Sequence, residues 1–381
     1  MKKIVIKFGG SSVGTIEKIK KVANIIKKRH NENNQIIVVV SAMSGETNNL
    51  VKKSTLISKN FDSQELDVLL SSGEQVTCSL LSGAIIDLGL KARSWLGWQI
   101  PIITNDNHTS SQIIKIQTEE ILNFISKGGI AVVAGFQGIS TNKRITTLGR
   151  GGSDLSAVAI AKFFKTDSCE IYTDVEGVLT TDPSINKKAK KIDKISYEEM
   201  LEMASLGAKV MQPNAVQAAM IEDIIIDVKS TFSESSGTKI IPESEIDQKK
   251  VVTGIAYSKG NAKVSIVGVV DKPGVAADVF EPIGKNNINI DMVIQNTSLD
   301  GKNANITFTI KQEDLGKTLN IIEKNKKKLN YNKITHDDKL AKVSIIGAGM
   351  ISESGVTHKM FRSLANEKIN ILAISTSEIK I

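Results

Sequence analysis

The chain has 381 residues, 41% hydrophobic and 4% aromatic, with 49 Lys and Arg against 41 Asp and Glu for a formal charge of +8. This length accommodates two or three domains, and no stretch approaches the roughly 18 apolar residues of a membrane helix. The excess charge lies in solvated lysine runs at 187–191 and 324–328 that lack interleaved aromatics, so neither a nucleic-acid nor a membrane partner is expected.

The Met-Lys-Lys start runs into an apolar stretch too short for a signal-peptide core. Cys78 and Cys169 lack CxxC spacing, and the four histidines show no zinc-ligand pattern. A reduced, cytoplasmic chain without a structural metal is expected.

Residues 4–6, 36–40, 130–133, 171–172 and 224–226 read as short buried strands. Between them, "TIEKIKKVANIIKKR" carries apolar residues at helical spacing behind a capping Thr15, and "SDLSAVAIAKFF" from Ser153 reads as a capped, buried helix. The alternation predicts an α/β domain with a mainly parallel sheet sandwiched by helices. Near Ser230 the sequence turns polar and Ser-rich, marking a linker. Beyond it "AKVSIVGVVDKPGVAADVFEPIGKNNINI" from Ala262 is echoed by "AKVSIIGAGMISESGVTHKMFRSLANEKINI" from Ala341, with equal spacing from Gly274 to Asn289 and from Gly355 to Asn370. Two copies of a small unit, each strand, Gly-containing loop, helix and "INI" strand, are predicted.

Four strand ends carry chemistry. In "KFGGSSVG" the glycine pair lets backbone amides approach a phosphate, and Lys7 adds a point charge. It is not a Walker loop, and "GKT" at Gly316 fails because Lys311 replaces the required first glycine. "TTLGRGGSDLSAVAIA" places the Arg150 fork, suited to a carboxylate, before a helix N-terminus, with Asp154 able to orient Lys7; the plainer alternative is that Ser153 or Asp154 caps that helix. "VVVSAMSGETNNL" and "YTDVEGVLTTDPS" set hydroxyls and acids after buried strands. Each alone is ordinary turn chemistry, whereas four together point to a nucleotide-phosphate site.

With "SSGEQ", "GFQG" and "LGAKVMQP", these motifs in this order resemble the aspartokinases of the amino acid kinase fold over nearly the whole chain, the repeated tail resembling their paired ACT domains. The resemblance implies a catalytic domain at 1–243 and a regulatory region at 244–381, divided into α+β units at about 262–337 and about 341–381 with 251–256. It implies ATP-dependent phosphorylation of the side-chain carboxylate of L-aspartate, with Mg2+ accompanying ATP. Lys7 and Asp154 would organise phosphoryl transfer, and Lys7, Gly9, Gly10, Ser11, Asp174, Thr180, Asp182 and Lys209 would hold the nucleotide. Ser41, Thr47, Glu74, Phe136, Arg150 and Ser153 would surround aspartate. Leu179 replaces an aromatic residue of many relatives, Ser184 an arginine and Gln212 a frequent histidine, which weakens the expected adenine stacking and diphosphate grip.

The paired tail implies inhibition by lysine, threonine or both, and a homo-oligomer joined through this region. One pocket would use Asp271, Gly274, Ala276, Asn289, Asp291 and Gln295; its counterpart would use Val356, Thr357, Asn370, Ile371, Ser377 and Glu378. "VSIIGAGMIS" imitates a dinucleotide fingerprint, but Ser352 holds the third glycine position and no room remains for a Rossmann unit. Relatives continue past "ISTSEIKI", so the second unit is expected to lack part of its sheet cover. Another amino acid kinase and a non-catalytic amino-acid sensor are the alternatives; retention of Lys7, Glu74, Arg150 and Asp154 argues against the sensor.

Overall fold

The computed structural model describes every residue except 209, 247–249, 298–300, 352 and 354. Two units divide the chain: Met1–Gly254 with Ile346–Glu353, and Ile255–Ile345 with Ser354–Ile381.

The first unit begins with β1 (Lys2–Phe8), α1 (Ile16–Asn31), β2 (Asn34–Val40), α2 (Glu46–Ile57), α3 (Ser63–Asp87) and β3 (Ala92–Trp95). It continues through β4 (Ile102–Thr104), β5 (Ile113–Ile116), α4 (Glu119–Ser126), β6 (Ile130–Ala134), β7 (Gln137–Ser140) and β8 (Ile145–Thr147). Then come α5 (Gly152–Phe164), β9 (Ser168–Thr173), β10 (Lys194–Ser196), α6 (Tyr197–Ser205), α7 (Pro213–Ile221), β11 (Ile226–Ser230) and β12 (Thr238–Ile241). The main sheet has the order β10-β12-β11-β9-β1-β2-β6-β3 and is parallel except between β11 and β12. A four-stranded sheet, β5-β4-β7-β8, lies beside it in the same unit.

Helices on both faces explain why β1 and β2 carry consecutive apolar residues, 4–6 and 36–40, rather than alternating ones. On one face Ile6, Phe8, Val38, Val40 and Val132 pack with Ile19, Val22, Ala23 and Ile26 of α1 and with Cys78, Leu81 and Ile85 of α3. The α1 residues form one stripe at helical spacing, and each large side chain so buried is worth about 1.5–3 kcal/mol. Thr15 caps α1 by accepting from the Lys18 N–H. The register pairs Phe8 with Val40 and Tyr172, and Val40 with Ala134, so the loops after β1, β2, β6 and β9 emerge at one carboxyl edge.

Two local expectations shift. The strand anticipated at 224–226 starts only at Ile226, because the Ile224 N–H closes the end of α7 on the Ala219 carbonyl while Asp223 is left-handed (φ 53°). Helix α5 starts at Gly152 behind a left-handed Gly151, so neither Ser153 nor Asp154 caps it.

The first unit also extends past the boundary expected after residue 243, to Gly254, and takes in Ile346–Glu353. The buried Glu199 carboxylate explains this: it accepts from Thr253 Oγ1 (2.7 Å) and from the Ala348 N–H (2.9 Å), while the Thr253 N–H donates to the Ile346 carbonyl. The dinucleotide-like Gly347-Ala348-Gly349 run serves close backbone packing. A Cβ on Gly347 would lie 2.3 Å from the Val251 carbonyl oxygen, and one on Gly349 2.6 Å from that of Lys250.

Apart from the first residue of β13 and the last of β16, the second unit contains β13 (Gly254–Val270), α8 (Val275–Gly284), β14 (Val293–Thr297), β15 (Asn303–Lys311), α9 (Leu315–Lys324), α10 (Lys326–Leu329), β16 (Lys333–Ile346) and α11 (Val356–Asn366). Its sheet, β14-β15-β13-β16, is covered by α8 and α9 over a core including Val264, Ile266, Phe308, Val279, Ile283 and Ile322. The strand foreseen at 251–256 begins at Gly254 as the start of the longer β13. The repeat is visible at Gly274 and Gly355, left-handed residues (φ 92° and 91°) heading α8 and α11. The two "INI" stretches, however, are not strands. Ile288 turns into the core under α8, and residues 367–381 run without a strand, meeting edge strand β16 through the mutual Ile345–Ile381 bonds.

Candidate active site

The carboxyl edge of the main sheet opens into a cavity of about 680 Å³. Lys7 enters from the end of β1 and Gly10 from the turn after it; Ser41 and Thr47 come from the segment after β2, and Glu74 from α3. Phe136 follows β6, and Arg150, Ser153 and Asp154 lie at the start of α5. The structure thus gathers the whole set assigned to aspartate, together with Lys7, Gly10 and Asp154.

Lys7 Nζ pairs with Asp154 Oδ1 at 2.5 Å, both side chains about nine-tenths buried. A cation so held is a fixed charge at the cavity wall. Gly10 is required where it stands, since a Cβ there would lie 2.9 Å from the Ala42 carbonyl oxygen. In the glycine turn and at the N-terminus of α5, which no side chain caps, the Gly9, Gly152 and Asp154 N–H groups already donate to the Tyr172, Gly149 and Gly151 carbonyls, so phosphates would be received by the neighbouring amides. Among the described residues no group of three or more His, Cys, Asp and Glu is arranged to hold a metal. The cavity wall carries the carboxylates of Asp154 and Glu74, and Mg2+ carried on nucleotide phosphates would need only one or two.

Glu74 is 3% exposed. Its Oε1 accepts from the Ala42 N–H at 3.0 Å, while Oε2 is buried without a hydrogen-bond partner. Burial pushes its carboxyl up to about 7, against the pull of the Ala42 N–H and of Lys7. A half-satisfied carboxylate on a cavity wall is built to accept from a cation. Phe136 is left-handed (φ 67°), an uncommon conformation for an aromatic residue. It is pinned there by its N–H donating to Ser156 Oγ and its carbonyl accepting from the Leu148 N–H.

Other expected residues lie off this cavity. The Gly9 N–H bonds the Tyr172 carbonyl, and the Ser11 carbonyl accepts from Lys18 Nζ. Asp174 follows β9, next to the glycine turn in the sheet order. Thr180 joins Lys190 through backbone and side chain, and Asp182 accepts from Ser184 N–H and Oγ in a local turn. Lys209 lies outside the described residues. Gln212 packs over Gly151, and Asn214 Nδ2 donates to the Arg150 carbonyl, so the start of α7 backs the arginine turn.

In the second unit, Gly274 and Ala276 sit at the start of α8, Asp271 precedes them, and Gln295 is exposed on edge strand β14. Asn289 is exposed, and Asp291 pairs with Lys342 at 2.5 Å. Val356 and Thr357 begin α11, whereas Asn370, Ile371, Ser377 and Glu378 are spread along the strandless stretch after it.

Sequence reasoning missed Thr109 and Thr147, which line the cavity, and Asp67 and His108 behind them. The available signal was the seven-residue interval from Asp67 to Glu74, which puts both acids on one face of α3.

The amino acid kinase family matches residues 2–230, and the ACT domain matches 264–325 and 343–381. The aspartate kinase Ask_LysC of Stutzerimonas stutzeri is 46% identical over 379 residues, covering 99% of this chain and 92% of that one. The chain belongs to the aspartokinase family. Among solved structures, aspartate kinase from Synechocystis is 41% identical with a TM-score of 0.59; 99% of this chain aligns, spanning 65% of that protein's length. Aspartokinase III of E. coli, solved with aspartate and ADP, is 23% identical with a TM-score of 0.81 over 99% of this chain and 94% of its own, a likeness of fold. No helix among the described residues is long and apolar enough to cross a membrane.

Proposed function

We propose that the chain transfers the γ-phosphoryl group of ATP to the side-chain carboxylate of L-aspartate, giving 4-phospho-L-aspartate, in the cavity at the sheet's carboxyl edge. The observation that carries this reading is the juxtaposition there of a buried Lys7–Asp154 pair, a bare glycine turn and the unsatisfied Glu74 carboxylate.

ATP supplies the phosphoryl group, with Mg2+ on its phosphates. Aspartate's side-chain carboxylate is already ionised at neutral pH, so the protein needs no general base. Its task is to hold two anions together, which is positioning and electrostatics. Lys7, fixed by Asp154, offsets charge developing between them; the Gly10 turn and the start of α5 add backbone donors. Glu74 Oε2 accepts from the α-ammonium, and the Arg150 fork clamps the α-carboxylate. Asp174, Thr180, Asp182 and Lys209 serve the nucleotide side.

Feedback control by lysine, threonine or both, through the two ACT regions, belongs to the same proposal. So does assembly into a homo-oligomer, supported by the apolar side chains Val356, Met360, Phe361 and Leu364 that α11 leaves only half-buried. The test is ADP release from Mg-ATP on addition of aspartate, with acetylglutamate as control and lysine and threonine added singly and together. Release with aspartate and suppression by an effector support the proposal. Release without suppression removes its regulatory part. No release from folded protein that still binds lysine or threonine replaces it with the sensor reading.

A further inference from the structure

We infer that Asp67 is a positioning residue for aspartate recognition: it holds Thr109 in a strained conformation against which the Gly149–Arg150 turn is set. The inference rests on the proposed binding of aspartate in the cavity.

Asp67 has no exposed surface and does not line the cavity. It lies on α3, two helical turns before Glu74 and on the same face. Its carboxylate is nonetheless fully engaged. His108 Nδ1 lies 2.7 Å from Oδ2, the Thr109 N–H reaches both oxygens at 3.1 Å, and Thr147 Oγ1 donates to Oδ1 at 2.5 Å. A buried carboxylate in the second turn of a helix is an expensive way to stabilise a fold, and its partners lie far along the chain, two of them, Thr109 and Thr147, on the cavity wall.

Thr109 shows what is gained. Its φ of 66° places a β-branched residue in the left-handed region, where it persists only if its surroundings hold it. A Cβ on Gly149, itself left-handed at φ 74°, would lie 3.2 Å from the Thr109 carbonyl oxygen. The strained turn therefore abuts the residue immediately before Arg150. On its other side the Ser111 N–H donates to the carbonyl of Thr147, the end of β8. One carboxylate thus fixes both Thr147 and the turn behind Arg150, while α3 delivers Glu74 from the same helix. The two groups proposed to grip aspartate's α-carbon substituents are set from one rigid element.

The test compares Asp67→Asn, Thr109→Gly and the double variant by kcat, KM for aspartate, KM for ATP and thermal midpoint. Asp67→Asn is expected to raise the aspartate KM about tenfold and leave the ATP KM within about twofold, as for lost positioning of one substrate. Glycine adopts positive φ freely, so in the Thr109→Gly background the same change should raise the aspartate KM by only about threefold or less. An unchanged aspartate KM in Asp67→Asn, or the same increase in both backgrounds, overturns the inference and leaves Asp67 a structural acid. Should Asp67→Asn not fold, Thr147→Val and His108→Gln each remove one partner and are read alike: a rise in aspartate KM alone supports the inference, and no rise overturns it. A wild-type chain that neither turns over nor binds aspartate overturns this inference together with the proposed function, whereas failure of the variants in an active wild type overturns the inference alone.

Discussion

Replacing Glu74 by Gln should stabilise the ligand-free protein while abolishing aspartate binding, and the gain should depend on pH. The carboxyl is raised from 4.5 to about 7, chiefly by burial. A folded-state value above the unfolded one means that the native protein favours the neutral acid. Its stabilising contribution is complete below pH 4.5 and is lost as pH rises through about 7. The interval of about 2.5 pH units corresponds to about 3 kcal/mol carried as a penalty at pH 8. Gln keeps the acceptor that bonds the Ala42 N–H at 3.0 Å and carries no charge.

Urea unfolding without ligands is the assay, at pH 8 and pH 5. At pH 8 Glu74→Gln should be more stable by up to about 3 kcal/mol, and at pH 5 the difference should shrink several-fold. Aspartate should stabilise the wild type and not the variant, with a wild-type affinity that falls as pH drops below about 7 because the ammonium requires the ionised acid. A variant no more stable than wild type at pH 8, or an advantage unchanged at pH 5, would refute the reasoning.

Lys7→Met leaves the Asp154 carboxylate buried without its 2.5 Å partner; it should cost about 3 kcal/mol and at least about a thousandfold in kcat, and Lys7→Met/Asp154→Asn should regain stability but not turnover. Gly10→Ala drives a methyl to 2.9 Å from the Ala42 carbonyl and should lower kcat/KM at least about a hundredfold in the ADP-release assay. Arg150→Lys exchanges a fork for a point charge and should raise the aspartate KM by about tenfold or more with little change in stability, since Arg150 is exposed. Glu199→Ala removes the acceptor shared by Thr253 and Ala348, so hydrogen exchange at the Ala348 amide should accelerate by about tenfold or more.

What could be read from the sequence follows from how locally each feature is determined. Strands buried on both faces leave continuous apolar runs, so β1, β2 and β6 were visible from composition alone. Glycines crowded by backbone, such as Gly10, announce a close approach that no other residue permits. Phe136 and Thr109 give no such signal: both are left-handed, yet neither residue type favours that region, and only hydrogen bonds from distant segments hold them there. Asp67 was hidden for a related reason. A single acid on a helix reads as solvent-facing until the partners 41, 42 and 80 residues further on are known.

The tail shows the same divide between pattern and partner. Ala262 and Ala341 open nearly the same sequence, and both copies reach a left-handed glycine heading a helix, so local information repeats faithfully. In the first copy α8 closes over a sheet that includes β14 and β15, supplied by residues that follow the helix. After α11 residues 367–381 form no strand, and Ile369, Leu372 and Ile374 stay about half exposed. Apolar periodicity determines which face of a segment seeks burial, whereas the strand that buries it is a non-local property. Equal motifs therefore gave unequal structures here, because the surface available to each copy differs.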